Sequence, residues 1–125
     1  MSFSAKITGT AELLKNIEKA DKEMVAILSK ELLKGALIVE RDAKKLCPVL
    51  TGRLRSSITF TQPKIIRGNL VSKVGTNVEY GPDVEHGTQH QRAQPYLLPA
   101  LKTNQRTIQG NIKKEIKKYT GKGKI

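Results

Sequence analysis

Cys47-Pro48-Val49-Leu50-Thr51-Gly52-Arg53-Leu54-Arg55-Ser56-Ser57-Ile58 is the stretch on which the fold turns. Pro48 has no backbone donor and disfavours helical geometry at Cys47, so a helix arriving from the N-terminal side ends here. Thr51-Gly52 then supplies a turn, pairing a hydroxyl that can bond nearby amides with a residue free to take positive φ. From Leu54 the apolar spacing reads as two: Leu54, Ser56, Ile58 and Phe60 on one face, Arg53, Arg55, Ser57 and Thr59 on the other. A helix-to-sheet switch within about eight residues follows from these breaker and period rules.

Upstream, Leu14, Ile17, Met24, Leu28, Leu32, Val39, Ala43 and Leu46 recur at helical spacing, which predicts one long amphipathic helix from about Ala11 to Leu46. Thr10 can cap it, and Asp21 interrupts its stripe. Gly35 falls near that stripe and lets a neighbour approach or marks a bend. Leu33 and Leu37 sit one turn apart on the face that also carries Lys15, Lys19, Lys30 and Lys44. They read either as stray exposed leucines or as a second contact, to the C-terminal helix or to another subunit. Before this helix, Phe3, Ala5 and Ile7 alternate with polar residues, as in an edge strand.

Downstream, Leu54 to Thr61 is expected to be a strand ended by Gln62-Pro63. Lys64 to Arg67 starts a second one, Gly68-Asn69 makes a tight turn, and Leu70 to Gly75 forms a third. Lys64, Arg67 and Lys73 suit exposed edges, where charge discourages aggregation. Gly81-Pro82 is a turn, and Val84-Glu85-His86 a brief extended segment. Glu85 is expected to accept hydrogen bonds from amides of the following turn or to pair with an arginine such as Arg53. Gln89 to Gln94, polar and unpatterned, reads as a mobile loop. Pro99 fits the first turn of a second helix, whose face holds Leu101, Ile108, Ile112, Ile116 and Tyr119. Gly121-Lys122-Gly123-Lys124 should fray. The expected architecture is α+β: a long N-terminal and a C-terminal helix on a small antiparallel sheet, one domain over residues 1–120, then a flexible basic end at 121–125.

Composition bounds the function. Hydrophobic residues make up 38% and aromatics 4%, without Trp, so the core rests on Leu, Ile and Val. Apolar runs fall short of the ~18–20 residues that a membrane span needs, and the N-terminus lacks a cleavable-signal pattern. Cys47, the single cysteine, excludes an intrachain disulfide and reads as a buried, inert thiol suited to a reducing cytosol. The net charge of +12 is uneven. Residues 1–50 carry nine basic and seven acidic groups, net +2; residues 51–100 six and three, net +3; residues 101–125 eight and one, net +7. The last fifth is a basic arm that favours an anionic partner or simply solvent.

Chemistry-bearing patterns are sparse. A nucleophile with its base, paired carboxylates or a phosphate-binding glycine loop would be expected of an enzyme, and none is legible. Glu79, Asp83, Glu85, His86 and His90 are locally dense, but their spacing matches neither zinc nor calcium sites. No cofactor, metal or catalytic residue is therefore assigned.

Three pieces in order carry a resemblance. Pro48-Val49-x-Thr51-Gly52-x-Leu54-x-x-Ser57-Ile58, then Val84-Glu85-His86-Gly87-Thr88, then Gln94-Pro95-Tyr96-Leu97-Leu98-Pro99-Ala100-Leu101 resemble a tail-component family of long-tailed bacteriophages. This is the gene-product-ten-like family of tail-completion or head–tail joining proteins. The resemblance spans roughly residues 10 to 118. His86 departs from the aromatic common at its place, which removes some packing there. The resemblance implies that these motif residues are structural or interfacial. It implies a homo-oligomeric ring of six copies in the virion neck, contacting head-closure and tail-terminator or tail-tube proteins, with assembly in the host cytoplasm. Any DNA contact is expected to be weak and non-specific, because few aromatics or planar base-reading groups accompany the lysines. The alternative is a small nucleic-acid-binding protein using the C-terminal Lys/Arg arm. Its charge fits, but zinc, helix-turn-helix and stacking-aromatic signals are missing.

Overall fold

A computed structural model describes residues 3–8, 22–48, 52–66 and 69–121. In chain order these form β1 (Phe3–Thr8), α1 (Lys22–Leu46), α2 (Arg53–Ser57), β2 (Thr59–Phe60), β3 (Lys64–Ile66), β4 (Asn69–Thr76), α3 (Gly81–His86) and α4 (Leu97–Gly121). The architecture is α+β, with two 25-residue helices over a small antiparallel sheet. The predicted helix start at Thr10–Asp21, including Leu14 and Ile17, lies outside the described residues, as do Arg67, Gly68, the Tyr119 side chain and the frayed end at 122–124.

β4 is the axis of the sheet. β1 pairs with one of its edges, from Phe3 opposite Thr76 to Thr8 opposite Val71. β2 and β3 share its other edge: Phe60 faces Val74 and Lys64 faces Val71. Between those two pairs lie residues 61–63 on one side and only 72–73 on the other, so one extra residue is accommodated as a bulge. Pro63 sits in it, where a missing N–H breaks no ladder bond. Thr61 holds the bulge in place: its N–H donates to the Lys73 carbonyl at 2.8 Å, its hydroxyl accepts the Lys73 N–H at 3.0 Å, and its carbonyl accepts the buried Ser72 hydroxyl at 2.7 Å. Asn69, expected in the turn, already belongs to β4 opposite Ile66.

One sheet face meets both helices. Leu70 and Val74 of β4 join Leu28, Leu32, Ala36, Val39 and Ala43 of α1 and Leu97, Ala100, Ile108 and Ile112 of α4 in one buried cluster. Met24, Leu101 and Ile116 pack half-buried on its rim. The predicted stripe is therefore the core face, except at Leu46, which is 49% exposed. By helical phase Leu46 belongs to the stripe, but it lies past the covered sheet, beside an open groove of about 240 Å³ lined also by Asp42, Lys45, Ala100 and Thr103.

The two long helices run antiparallel and touch on one flank of α1. At Gly35 an added methyl would stand 2.9 Å from two Ile108 side-chain carbons, so glycine sets the interhelical distance. Further along, the Asn104 amide donates to Asp42 at 2.7 Å. That bond outweighs the opposing effect of burial and holds the Asp42 carboxyl below the usual carboxylate range. Its share of stability is present above the unfolded carboxyl value and lost as pH falls through the depressed folded one.

Two expected strands are helices. Leu54 to Ser57 lies in α2, leaving only Thr59 and Phe60 extended. Leu54 and Ile58 are both buried, and four residues apart is a helical spacing as well as a strand one. Gly52 decides between them: it adopts φ 76°, and its carbonyl accepts the Ser56 N–H at 3.0 Å and the Ser56 hydroxyl at 2.8 Å. Val84-Glu85-His86 likewise lies in α3, not in an extended segment. Pro82 opens that helix, preset for helical φ with no N–H to waste.

Leu28→Ala should cost about 2–5 kcal/mol in denaturant unfolding, the range for a well-packed core leucine. Gly35→Ala should also destabilise, although alanine is the better helix former by about 1 kcal/mol. Ile108→Val should then recover part of that loss, because it removes one of the carbons in the way. An unchanged unfolding midpoint in either single variant would show that the α1 stripe or the α1–α4 contact is misplaced.

Candidate functional site

The three motif pieces meet around Tyr96. Its side chain is fully buried, and its hydroxyl donates to the Gly81 carbonyl at 3.0 Å. Gly81 is wedged so tightly that an added methyl would stand 2.6 Å from Thr76 Cγ2, 3.1 Å from the Tyr96 oxygen and 3.7 Å from Leu54 Cδ1. Leu54 comes from the first piece, Gly81 from the helix that carries the second, and Tyr96 from the third. Burial first, and then Glu85 and Cys47, push the Tyr96 phenol far above its ordinary value.

Glu85 ties the second piece to the third. It is 2% exposed, and its Oε1 accepts the Leu97 N–H at 2.7 Å and the Tyr96 N–H at 3.3 Å. These are donors at the start of α4, which no helical carbonyl can satisfy. A carboxylate there also meets the positive end of the helix dipole. The expectation of backbone amides as partners is correct in kind, but the amides belong to the next helix. Arg53 is not the partner: its guanidinium reaches both Glu79 carboxylate oxygens at 3.2 Å and lies 5.7 Å over the Tyr80 ring. The Glu79 carboxyl is held below its usual range, by a backbone hydrogen bond at Glu79 first and then by Arg53. Both groups are well exposed, so this pair orders the surface more than it stabilises the fold.

The remaining motif residues make further local contacts. Pro48, half-buried, ends α1, and the Arg55 guanidinium donates to the Cys47 carbonyl at 3.2 Å. Cys47 is buried, and desolvation raises its thiol. Ser57 donates to the Leu54 carbonyl at 2.6 Å and shares a short contact with Thr76. Gly87 closes α3 at φ 80°, with the Ala93 nitrogen 2.8 Å from where a side chain would begin. Thr88 bridges Gln91, and Gln94 N–H donates to Val84 at 2.8 Å, so the segment read as an unpatterned loop has backbone bonds of its own. Pro99, half-buried, stands in the first turn of α4, Ala100 is buried beneath it, and Leu101 packs half-buried on the core. Thr51 lies outside the described residues.

Most of these polar groups are spent on backbone donors and acceptors, while Arg55 Nε and Glu85 Oε2 are buried without a hydrogen-bond partner. The carboxylates near His86 and His90 are dispersed: Glu85 turns inward to α4, Glu79 outward to Arg53. Among the described residues no group of three or more His, Cys, Asp or Glu could hold a metal ion, and no helix is long and apolar enough to cross a membrane. What remains exposed and apolar is Leu37, Leu46, Ile65 and Leu98. Leu37 is 46% exposed and Leu33 half-buried. By helical phase both point away from the Gly35 flank where α4 lies, so the C-terminal helix does not cover them. The tight fit at Gly81 and the Asp42–Asn104 bond had no signal in the sequence beyond a glycine and a helical phase.

A family model described as "Bacteriophage HK97-gp10, putative tail-component" matches residues 11–87. Neither the comparison with curated proteins nor that with solved structures gives a match.

Glu85→Ala should leave two amides at the start of α4 without partners and cost about 2–4 kcal/mol in unfolding free energy. Glu85→Gln keeps an acceptor and should cost distinctly less. Hydrogen exchange at the Tyr96 and Leu97 amides should quicken in the alanine variant; unchanged protection there would mean that Glu85 is not what holds them.

Proposed function

Because the chain belongs to the HK97-gp10-like tail-component family, we propose that this structural phage or prophage tail protein is the tail-completion, or head–tail joining, component of the neck. In this reading residues 1–120 act as one unit, and six copies close into a ring between head-closure proteins and the tail terminator or tail tube. The work is binding, done in the virion after assembly in the host cytoplasm. The motif residues from Pro48 to Ile58, Val84 to Thr88 and Pro95 to Leu101 contribute by building a stiff junction beneath the surfaces that bind.

The observation that carries the reading is the apolar flank of α1. Single exposed leucines are ordinary. Leu33 and Leu37, however, stand one turn apart, opposite the intramolecular contacts of α1 and among Lys30, Arg41 and Lys44. An apolar centre with a charged rim is the usual anatomy of a protein–protein contact. Closure into a ring needs one such patch to meet a different patch on the next copy.

Replacing both Leu33 and Leu37 by Lys should leave helix content unchanged while weakening self-association or incorporation into particles. Mass measurement of the chain alone, and then with a neighbouring tail protein, reads this out. Assembly of the double variant at wild-type level would sink the assignment of this flank.

A further inference from the structure

We propose that the solvent face of α4 is a docking stripe for the phosphate backbone of double-stranded nucleic acid, read without sequence preference. This goes beyond the tail-component reading and stands on a different surface from the Leu33–Leu37 flank. Lys102, Arg106, Lys113 and Lys117 follow one another at spacings of four, seven and four residues. Those intervals keep all four on one side of a helix, opposite the Ile108 and Ile112 core face. All four are exposed, and the row is about 22 Å long at the helical rise.

The contrast with α1 separates this stripe from an ordinary solvated surface. On α1 four acids accompany six basic residues, and three of the cations stand beside carboxylates: Lys34 with Glu31, Lys44 with Glu40, Arg41 with Asp42. Lys102, Arg106 and Lys113 have no carboxylate partner among the described residues. Between Leu97 and Gly121 there are six basic residues and a single acid, Glu115, which pairs with Lys118. Lys102 and Arg106, Lys113 and Lys117, and Lys114 and Lys118 are like charges four apart, an arrangement that weakens a helix.

Gly110 adds a second departure. It lies mid-helix beside the stripe between Arg106 and Lys113, exposed, with nothing within 4 Å of where a methyl would stand. Packing does not require glycine there, and glycine lowers helix stability. The like-charge pairs and Gly110 both cost helix stability on this cationic face. Such departures from local preference concentrate where a surface is used.

The partner's chemistry follows from what the face lacks. Its middle lacks an aromatic or aliphatic anchor: Thr103, Gln105, Thr107 and Gln109 flank the row, and the exposed Leu98 stands one turn before Lys102, at the end of the row. Protein interfaces centre on such anchors and are poor in lysine. A row of cations among small polar residues suits repeating phosphates, which position a protein without specifying sequence.

The test uses the full chain and duplexes of about 20 base pairs with unrelated sequences, titrated across salt concentrations. Binding should be equal for all of them and weak near physiological salt, with Kd on the order of 10⁻⁴–10⁻⁶ M. Changing Lys102, Arg106, Lys113 and Lys117 to Gln should remove about 3.6 from the log–log salt slope, at about 0.9 per phosphate. Changing Lys30, Lys34, Lys44 and Lys45 to Gln removes the same charge and should leave most of the slope. Gly110→Glu should weaken binding at least about tenfold while circular dichroism is unchanged, since like charges near a phosphate repel. An equal loss of slope in both quadruple variants, or none in the first, overturns the proposal. So does tighter binding to polyglutamate than to the duplex, which would point to an acidic protein partner. Duplex binding with the expected slopes by a chain that is absent from purified particles would count against the neck assignment alone.

Discussion

A buried carboxylate settles where the second long helix begins. Glu85 must find partners, because a polar side chain removed from water without hydrogen bonds is costly. It finds them in the first amides of α4, which themselves lack helical acceptors. Both amides are satisfied by Oε1, while Oε2 stays buried without a hydrogen bond, and α3 is bonded to the next element across eleven residues of chain. From that point the rest follows by geometry. α4 starts beside Gly81, runs back along α1, and reaches Gly35 with Ile108 in van der Waals contact. The sheet then has one face closed by two helices.

Much of this is legible in the sequence, and the gaps have physical causes. The apolar phase of α1 identifies Leu28, Leu32, Val39 and Ala43 as core, since a stripe kept over that many turns has one interpretation. β4 and the α4 face declare themselves by the same means. Leu54 to Phe60 does not, because alternate apolar residues over a short run satisfy both periods at Leu54 and Ile58. The backbone of Gly52 and the Ser56 hydroxyl make the choice, and neither is visible as periodicity. α3 is too short for a period to show, so Pro82 reads equally well as a turn residue or as a helix start.

The assembled junction is less legible still. That Leu54, Gly81, Glu85 and Tyr96 meet is a tertiary fact; no spacing along the chain contains it. The motif pieces carry order and family resemblance, while their physical role emerges only once they touch. They pack into one knot, and many of their polar atoms are directed at backbone. Surfaces free to contact something else, the Leu33–Leu37 flank and the outside of α4, lie away from that knot.

The interrupted edge made by β2 and β3 has one more consequence. A continuous edge strand offers an unbroken row of donors and acceptors on which another chain can build, and a protein present in many copies is especially exposed to that hazard. Here the row is cut into segments of two and three residues by a bulge containing proline. Strand-by-strand polymerisation has no adequate template on this side. Any association between copies is then left to side-chain surfaces and not to strand pairing along this edge.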